Sequence, residues 1–406
     1  MNRWMYIDFN SYFASCEQQM DPQIRNKPVA IIPVQTDATC AIAASYEAKA
    51  FGVKTGTPVW EAKKMCPNLI CVVARHEIYV DFHERIIQEI GRHVPVAKVC
   101  SIDEVACELM ENESRNAEKL AKEIKKGLKE NVGECVRCSI GIAPNCYLAK
   151  IATDMQKPDG LTFIHQEDLP EKLYSLKLRD LVGIGSNMEI RLKRQGIFDI
   201  KKLLSLDIQQ LRKAWGSLDG ERLWHQLRGI EIPDKITKRT TVGHSRVLAP
   251  ELRFPEKARQ IGRRLVSKAA SRLRQMDMVA STLSMWARLE EEMYFEASLQ
   301  CDPSRDSFTF LSLFNEMWKE MIRQTGALQI KQVAVTLSDL SLHDKDQFEL
   351  FKHPTKVKKE QMSDTFDRIH QRYGRDSVSF GGLSEDDKQV TGVNNSRVNA
   401  RVVFTF

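Results

Sequence analysis

The sequence comprises 406 residues, of which 42% are hydrophobic and 28% charged. This balance is typical of globular proteins and excludes collagen-like, coiled-coil and wholly disordered chains, and the length predicts roughly two to four domains. No apolar run approaches the roughly 18 residues of a membrane helix. Asp8 follows the N-terminus too closely for a signal peptide, so we expect a cytoplasmic protein with no membrane partner.

The first part of the chain, roughly 165 residues, is predicted to be a mixed α/β or α+β unit. Its predicted strands are Trp4–Phe9, Lys27–Val34, Val99–Leu109, Cys135–Ala143 and Leu161–Ile164. A short helix is predicted at Tyr46–Gly52. A longer one, Asn145–Gln156, stops at Lys157-Pro158-Asp159-Gly160.

The rest of the chain is first helical and then mixed. Leu-rich stretches broken by glycines predict that residues 167–229 are helical, and Pro233 with basic neighbours indicates a linker at 230–241. A βαββαβ order follows, the ferredoxin-like motif, with elements at Val242–Leu248, Pro255–Met276, Val279–Leu289, Met293–Gln300, Arg305–Gln324 and Gln329–Leu337. In the polar tail, Ser341–Phe406, one short helix places Met362, Phe366 and Ile369 on a single face.

Positive charge is concentrated in one segment. The whole sequence has 60 basic and 54 acidic residues, a net charge of +6, whereas residues 235–288 hold 13 basic and three acidic residues, a net charge of +10. Such a field attracts polyanions, of which nucleic-acid backbones are the commonest in the cytosol. A solvated helix face is the alternative, and the charge favours nucleic acid.

The ten cysteines are interpreted as free thiols, because a large chain without a secretion signal stays reduced. Cys135-x-x-Cys138 has no second pair at zinc-finger spacing, so we interpret both residues as part of a strand.

Three acids are candidate metal ligands. Asp8 ends the first predicted strand, and Asp103 and Glu104 adjoin one another in a second apolar segment. Acids in such segments are costly unless a cation or hydrogen bonds compensate, and clustered carboxylates are natural Mg²⁺ ligands. Neighbouring residues on a regular strand point to opposite faces, so we predict a hairpin turn at or beside Asp103–Glu104. Solvated acids at strand ends are the alternative.

Four segments resemble motifs of the Y-family translesion DNA polymerases, in that family's order and spacing. They are Ile-Asp-Phe-Asn-Ser-Tyr-Phe-Ala-Ser-Cys-Glu (7–17), Ser-Tyr-Glu-Ala-Lys-Ala-Phe-Gly-Val-Lys-Thr-Gly (45–56), Ser-Ile-Asp-Glu (101–104) and Ala-Lys-Ile-Ala-Thr-Asp-Met-Gln-Lys-Pro-Asp-Gly (149–160). Four motifs in order are far more specific than any one of them. The resemblance covers residues 1–232 well and the remainder by layout.

The resemblance implies a multidomain α+β right-hand polymerase with a ferredoxin-like palm. The implied domains are a palm (1–18 and 76–164), small fingers (19–75), a helical thumb (165–232), a linker (233–241), a βαββαβ little finger (242–341) and a tail (342–406). The implied activity is template-directed, Mg²⁺-dependent, low-fidelity DNA synthesis past damaged bases, within the SOS response. The implied partners of a monomeric enzyme are primer-template DNA, deoxynucleoside triphosphates and a sliding clamp.

The resemblance also implies roles for residues of the site. Asp8, Asp103 and Glu104 would be catalytic and, with the Phe9 carbonyl, would ligate two Mg²⁺ ions for phosphoryl transfer.

Five further residues match nucleotide-binding positions. Tyr46, Lys49 and Lys157 match triphosphate contacts, and Lys49 stands where arginine is common, so one bidentate contact becomes single-point. Phe13 matches the steric gate that leaves no room for a ribose 2′-hydroxyl, and Tyr12 should stack behind it. Both are also consistent with core aromatics.

Two sets of residues are candidate DNA contacts. Leu181–Ser186 followed by a helix over 187–195 resembles a helix-hairpin-helix, in which Gly183, Ile184 and Gly185 would bring backbone N–H groups to a phosphate. A plain turn between helices would need the same glycines. In the little finger the candidates are Arg246, Arg263 and Arg264.

Gln347-Phe348-Glu349-Leu350-Phe351 resembles the peptide by which bacterial polymerases hold the sliding clamp, with Gln347, Leu350 and Phe351 as anchors. Docking of Phe348 and Phe351 on their own domain is the alternative.

Several alternatives remain open. Phe13 and the layout favour the polymerase IV type, whereas residues 14–17 and 40–43 and the long tail favour the catalytic subunit of polymerase V. A non-catalytic adaptor of a mutagenesis complex would have lost the metal-binding acids, and all three are present. A nucleotidyl cyclase also sets acids over two metals, but the helix-hairpin-helix and the basic second domain argue against it.

Overall fold

The computed structural model describes residues 2–234, 238–290, 293–343 and 354–374. Contacts divide the chain into two units, Met1–Lys235 and Ile236–Phe406, and the division falls inside the segment 233–241. Within the described residues, no helix is both long enough and apolar enough to cross a membrane.

Strands and helices are mixed through residues 4–163 of the first unit, as predicted, and the elements that follow in this unit are helical. Its strands are β1 (Trp4–Phe9), β2 (Val29–Ile32), β3 (Ala43–Ala44), β4 (Ile70–Val73), β5 (Lys98–Val99), β6 (Glu104–Glu108), β7 (Cys138–Ala143) and β8 (Leu161–Phe163). Its helices are α1 (Tyr12–Met20), α2 (Tyr46–Ala50), α3 (Val59–Met65), α4 (His76–Gly91), α5 (Glu111–Arg115), α6 (Ala117–Asn131), α7 (Cys146–Met155), α8 (Ser186–Arg194), α9 (Ile200–Leu204), α10 (Ile208–Trp215) and α11 (Asp219–Gln226).

The central strand of a five-stranded sheet is β1. The strand order is β5-β6-β1-β7-β8, and only the β7–β8 pair is parallel. Met5 and Ile7 lie in the core shared with α4 and α6, and Tyr6 lies in the core built on α7. The strand is therefore covered on both faces, which explains its apolar run Trp4–Ile7 and leaves Asp8, the last residue but one, 6% exposed at its buried end.

Helix α7 is fixed at its N-terminus and along one face. Asn145 caps it by accepting the Leu148 N–H (2.8 Å), and the Asn145 amide donates to the carbonyls of Gln226 (2.8 Å) and Ile230 (3.1 Å). Leu148 and Ile151 are buried in one core with residues of α8 to α11. Lys150 and Asp154 of the same helix belong to the site described below.

Residues 167–229 are mostly helical, as predicted, but in short pieces joined by turns. Asp199 and Asp207 cap α9 and α10 by accepting the N–H groups of Lys202 (2.7 Å) and Gln210 (2.8 Å). Helix α10 ends at Gly216, whose φ of 78° favours glycine. The breaks therefore come from caps that the amino-acid sequence specifies locally.

All ten cysteines are free thiols, as predicted. Cys138 is buried in β7, while Cys135 precedes the strand and is partly exposed. The predicted strand Cys135–Ala143 is therefore shorter by three residues at its start.

The second unit has the predicted βαββαβ order. Its elements are β9 (Val242–Val247), α12 (Pro255–Gln275), β10 (Met278–Leu289), β11 (Tyr294–Ser304), α13 (Ser307–Thr325), β12 (Ile330–Leu342) and α14 (Pro354–Tyr373). The antiparallel sheet has the order β11-β10-β12-β9. Pro255 occupies the first turn of α12, and Asp306 caps α13 by accepting the Thr309 N–H at 2.8 Å.

Helix α14 packs through a face that differs from the predicted one at Met362. Met362 is 40% exposed, whereas Ser363 is fully buried and accepts the Ser307 N–H at 3.1 Å. Phe366 does pack inward, with its ring 6.5 Å from that of Phe308. The predicted apolar stripe is therefore wrong at Met362, because a small polar residue with a hydrogen-bond partner lets the helices approach more closely than methionine would.

We expect Asp367→Asn to lower the free energy of unfolding of the second unit by about 3–5 kcal/mol. The Arg274 guanidinium donates to Asp367 at 2.6 and 2.9 Å, and its side chain is only 4% exposed. The substitution would leave the buried guanidinium with the more distant Asp364, 3.9 Å away, as its remaining carboxylate partner, and urea unfolding would measure the loss.

The matched control is Asp364→Asn on the same helix. Asp364 is 46% exposed and lies 3.2 Å from Arg305 and 3.9 Å from Arg274, so its loss should cost about 0–1 kcal/mol. Equal destabilisation by both substitutions would contradict a special role for the buried pair.

Candidate active site

The β5–β6 hairpin brings two acids to the end of β1. Asp8 and Glu104 are direct partners in the β1–β6 register. The chain turns over residues 100–103, where the Cys100 N–H donates to the Glu104 carbonyl and the Phe9 N–H to the Asp103 carbonyl, each at 2.9 Å. The turn predicted beside Asp103–Glu104 is confirmed, and it splits the single predicted strand Val99–Leu109. Because Asp103 lies in the turn, it need not point away from Glu104.

Asp103 is held in an environment that disfavours its charge. Burial raises the pKa of the Asp103 carboxyl, the hydrogen bond from Ser101 Oγ to Asp103 Oδ1 (2.5 Å) opposes this, and the charges of Asp8 and Glu104 raise it further. The three carboxylates therefore lie within electrostatic range of one another, as candidate functional groups often do.

Two lysines neutralise the acids. Lys150 Nζ lies 2.5 Å from Asp8 Oδ2 and 2.7 Å from Glu104 Oε1. Lys157 Nζ lies 2.9 Å from Asp8 Oδ1 and 2.6 Å from Asp154 Oδ1. Burial lowers the pKa of both ammonium groups, but Asp8 and its neighbours raise it more. The sequence prediction named Lys157 but neither Lys150 nor Asp154. The helical spacing of Lys150, Asp154 and Lys157 is the signal that could have identified Lys150 and Asp154.

The acid cluster fits a divalent cation by its donor chemistry. Across the part of the chain that the structure describes, no three His, Cys, Asp or Glu side chains are arranged to hold a metal ion, and the Lys150 ammonium lies between Asp8 and Glu104. That ammonium marks a position at which a cation is stabilised, and carboxylate oxygens are preferred Mg²⁺ ligands. Phe9 is buried and its hydrocarbon side chain has no ligand atom, so it could offer a metal ion only its backbone carbonyl.

Asn10 ties the loop that carries Lys157 to β1. Asn10 Oδ1 accepts the Asp159 N–H at 2.7 Å, and its Nδ2 donates to Ser139 Oγ at 3.2 Å. Ser139 Oγ in turn accepts the Gly160 N–H (3.2 Å) and donates to the Gln156 carbonyl (3.1 Å). This buried network fixes the loop and therefore the approach of Lys157 to Asp8.

Tyr46 and Lys49 approach the same place from α2, which packs on the three-stranded sheet β3-β2-β4. Lys49 Nζ lies 4.5 Å from the Tyr46 ring centroid and donates to Ser11 Oγ at 2.7 Å. Burial lowers the pKa of Lys49 and the charge of Lys157 lowers it further, while burial raises the pKa of Tyr46. The three residues predicted to contact triphosphate thus lie within electrostatic range of one another.

The Phe13 ring stacks on Tyr79, and not on Tyr12 as predicted. The Phe13 and Tyr79 centroids are 4.3 Å apart with an interplanar angle of 13°, whereas Tyr12 is tilted by 49° at 5.8 Å. Tyr12 is buried and donates its hydroxyl to the Tyr79 carbonyl at 2.6 Å. Phe13 keeps partial exposure, while Tyr12 is a core residue whose side chain has no path to a ligand.

A buried carboxylate holds Tyr79 in turn. Glu17 is 1% exposed and accepts the Tyr79 hydroxyl at 2.9 Å. The Arg75 guanidinium donates to both Glu17 oxygens, so the buried charge is paired. Sequence reasoning missed this support. The placement of Phe13 and Glu17 four residues apart on α1 is the signal that could have found it.

The predicted DNA-binding turn precedes α8. Gly183 has a φ of 92°, and Gly185 stands at the N-terminus of α8, where first-turn N–H groups have no acceptor within the helix. Ile184, by contrast, is buried and its N–H donates to the Leu181 carbonyl at 3.1 Å. This geometry argues against Ile184 as a DNA contact and leaves the two glycines as candidates.

The three predicted arginines of the second unit lie on β9 and α12. Arg246 pairs with Val333, whose side chain is in the core, so Arg246 is on the helix-facing side of its strand. Arg263 lies 3.5 Å from Asn315 Oδ1 of α13, and burial lowers its pKa. Arg264, the next residue of α12, is half-buried.

The sheet face opposite the helices carries features that the sequence prediction did not name. Trp286 stacks on Tyr294 with ring centroids 5.6 Å apart. Arg288 pairs with Tyr294 and Gln332 in the strand registers. An aromatic pair with an adjacent cation is suited to contact with a polyanion.

Two family models match the chain, one in each unit. The model described as the impB/mucB/samB family matches residues 7–154, and the model of that family's C-terminal domain matches residues 239–350.

Known proteins match over most of their length. DNA polymerase IV of Pelotomaculum thermopropionicum is 30% identical over 393 residues, covering 92% of this chain and 93% of the relative. DNA polymerase IV of Moorella thermoacetica is 34% identical over 279 residues, covering 66% and 69%. DNA polymerase IV 1 of Bacillus subtilis is 28% identical over 394 residues, covering 95% and 94%.

Solved structures share the fold. A Y-family DNA polymerase chimera, Dbh-Dpo4(243-245)-Dbh, matches with a TM-score of 0.71 at 24% identity, over 84% of this chain and 100% of that chain. An insertion ternary complex of Dbh DNA polymerase matches with a TM-score of 0.54 at 24% identity and the same coverage. These likenesses support the right-hand α+β fold, and the relatives extend the match to sequence. The chain belongs to the impB/mucB/samB family, the Y-family of translesion DNA polymerases.

Proposed function

We propose that the protein is a low-fidelity, Mg²⁺-dependent DNA polymerase that extends primers past damaged template bases. The observation that carries the proposal is the gathering of Asp8, Asp103 and Glu104 at one end of β1, with Lys49 and Lys157 beside them. The family assignment supports the reaction class, and the hard carboxylate oxygens favour Mg²⁺.

The proposed role of the three acids is to hold metal ions in fixed positions. Two divalent ions, when bound by Asp8, Asp103, Glu104 and the Phe9 carbonyl, would lower the pKa of the primer 3′-hydroxyl and stabilise the leaving pyrophosphate. Strand β1 and the β5–β6 hairpin hold Asp8 and Glu104 in paired register and Asp103 in the adjoining turn, so the backbone fixes where the three carboxylates begin. Phosphoryl transfer depends on such positioning and charge compensation more than on covalent chemistry.

The triphosphate would lie against Tyr46, Lys49 and Lys157. The Tyr46 hydroxyl is protonated at neutral pH, and burial raises its pKa further, so it can donate a hydrogen bond to a phosphate oxygen. The two ammonium groups would offset the phosphate charge, with Lys157 held in place by the Asn10 network. The partly exposed Phe13 ring would lie against the sugar.

Lys49→Arg is expected to lower KM for deoxynucleotides about fivefold, because a guanidinium binds phosphate through two parallel hydrogen bonds. Burial and Lys157 lower the pKa of Lys49, so the wild-type ammonium is lost at a lower pH than that of an ordinary lysine. Wild-type kcat/KM should therefore fall on the alkaline side, and the variant should not show this fall because arginine keeps its charge. Steady-state incorporation measured across pH would test both effects.

The control is Lys54→Arg, an exposed lysine of the same segment, which should change neither KM nor the pH profile. If kcat/KM of Lys49→Arg fell at alkaline pH just as that of the wild type does, Lys49 would lie outside the triphosphate site.

The direct test of the function is primer extension on an undamaged and a lesion-containing template, with Mg²⁺ and all four deoxynucleotides. The expected products are short and follow the template base, and they continue past the lesion. Binding of primer-template without any extension would favour the adaptor alternative. Cyclisation of a triphosphate without template would favour the cyclase alternative.

Primer-template DNA would contact the turn at Gly183 and Gly185 and the basic second unit, which includes Arg246, Arg263 and Arg264. The support is the location of that turn at a helix N-terminus and the net charge of +10 over residues 235–288. Contacts of this kind are made to the backbone and are independent of base sequence.

A sliding clamp is the proposed protein partner. The peptide with Gln347, Leu350 and Phe351 lies outside the described residues, so its support is the sequence pattern alone. If the double substitution Leu350→Ala/Phe351→Ala left clamp stimulation of synthesis unchanged, the assignment would be wrong.

The polymerase IV type is favoured over polymerase V, because the similar proteins named above are all DNA polymerase IV. We infer a monomeric cytoplasmic enzyme that acts in the SOS response to DNA damage, in keeping with the sequence patterns described above.

A further inference from the structure

Lys150 lies at the centre of the acid cluster. Its ammonium is 2.5 Å from Asp8 Oδ2, 2.7 Å from Glu104 Oε1 and 3.5 Å from Asp154 Oδ2. It also lies 5.5 Å from the Tyr6 ring centroid, and the Tyr6 hydroxyl donates to the other Glu104 oxygen at 3.1 Å. The lysine side chain is only 17% exposed, so these contacts fix a positive charge among the acids.

This ammonium and a divalent ion would use the same oxygens. A cation that binds both Asp8 and Glu104 would sit where Lys150 Nζ now sits, and two positive charges cannot share that position. Binding of a divalent ion therefore requires the ammonium to leave two short ion pairs. The requirement follows from geometry and does not depend on any change of protonation.

Asp154 is placed to receive the displaced ammonium. It lies one helical turn from Lys150 on α7, and its Oδ2 faces Lys150 while its Oδ1 is paired with Lys157 at 2.6 Å. The ammonium therefore already lies near the carboxylate that would receive it, on the same helix.

We propose that Lys150 is an internal counter-ion, which lies between Asp8 and Glu104 in the metal-free protein and moves onto Asp154 when a divalent ion binds. The inference rests on the proposed metal site. It makes Lys150 a positioning residue that stabilises the metal-free cluster and weakens metal binding, and it gives Asp154 a role distinct from that of the ligands.

The test is Mn²⁺ titration of the full-length protein, with the free ion detected by electron paramagnetic resonance. Lys150→Met removes the charge and keeps the length of the side chain, and we expect it to bind Mn²⁺ about tenfold more tightly. In EDTA the same variant should melt about 3 °C lower, because the acids lose their counter-ion. Lys150→Arg, which keeps the charge, should bind Mn²⁺ much as the wild type does.

Lys172→Met is the matched control, since Lys172 pairs with a single carboxylate, Asp168, at 3.0 Å on another segment. It should not alter Mn²⁺ binding. Unchanged or weaker binding by Lys150→Met, with wild-type binding intact, would overturn the proposal. A wild type that binds no Mn²⁺ would instead overturn the proposed metal site.

A double-mutant cycle tests the receiving carboxylate. Asp154→Asn should weaken Mn²⁺ binding about threefold in the wild type, and clearly less in the Lys150→Met background, where there is no ammonium to receive. Equal effects in the two backgrounds would remove Asp154 from the proposal and leave Lys150 without a second position.

Discussion

Asp103→Asn should abolish primer extension, with a loss in kcat of about 10³-fold, while the protein becomes more stable. The activity falls because a carboxylate that compensates transition-state charge becomes a neutral amide. Extension of a labelled primer by wild type and variant, at equal DNA occupancy, measures the loss.

The gain in stability follows from the sign of the pKa shift. Burial and the neighbouring acids raise the pKa of Asp103 above its unfolded value, so its ionised form costs stability at neutral pH. Asparagine removes that cost, and the melting temperature in EDTA should therefore rise at pH 7. The gain should shrink as the pH falls towards the ordinary pKa of aspartate, where the wild-type carboxyl is protonated in both states.

Asp81→Asn serves as the control, because Asp81 is exposed and lies 3.9 Å from Arg85 on a surface helix. It should change neither extension nor melting. An Asp103→Asn protein that kept wild-type extension would remove Asp103 from the proposed ligands.

Phe13→Ala should relax sugar selection by about 10²-fold, measured as the ratio of kcat/KM for a ribonucleotide to that for the matching deoxynucleotide. The aromatic ring stacked on Tyr79 is a rigid wall beside the proposed sugar position, and alanine would leave room for a 2′-hydroxyl. Single-nucleotide incorporation with both sugars gives the ratio directly.

Tyr12→Phe separates this effect from general loosening. It removes the 2.6 Å hydrogen bond to the Tyr79 carbonyl and should cost about 1 kcal/mol of stability without changing sugar selection. A Tyr12→Phe enzyme that accepted ribonucleotides as readily as Phe13→Ala would show that helix α1, and not the Phe13 ring, makes the selection.

The elements of the site could be predicted because local patterns specify them. The apolar run Trp4–Phe9 can only be a strand covered on both faces, and the adjacency of Asp103 and Glu104 requires a turn if both are to serve one site. The βαββαβ order of the second unit follows from the spacing of its apolar residues and from the breaks between its elements. These signals depend on residues that are neighbours in sequence, so they can be recognised without knowledge of tertiary packing.

The parts that sequence reasoning missed depend on contacts between distant segments. Lys150 is an ordinary helical lysine until β1 and β6 place Asp8 and Glu104 beside it. Tyr79 becomes the stacking partner of Phe13 only because α4 packs on α1. Burial of the Ile184 side chain between two exposed glycines likewise depends on its packing against other helices.

Helix α7 has a mechanical consequence for the enzyme. The Tyr147 hydroxyl donates at 3.0 Å to the carbonyl of Val182, the residue before Gly183, and the same helix carries Lys150 and Asp154. A single helix thus contacts the turn that is proposed to bind the duplex and carries the charged residues that are proposed to act at the reaction centre. If template binding at that turn displaces α7, the displacement reaches those charges, and by thermodynamic reciprocity loading of the reaction centre would then alter template binding by the same free energy.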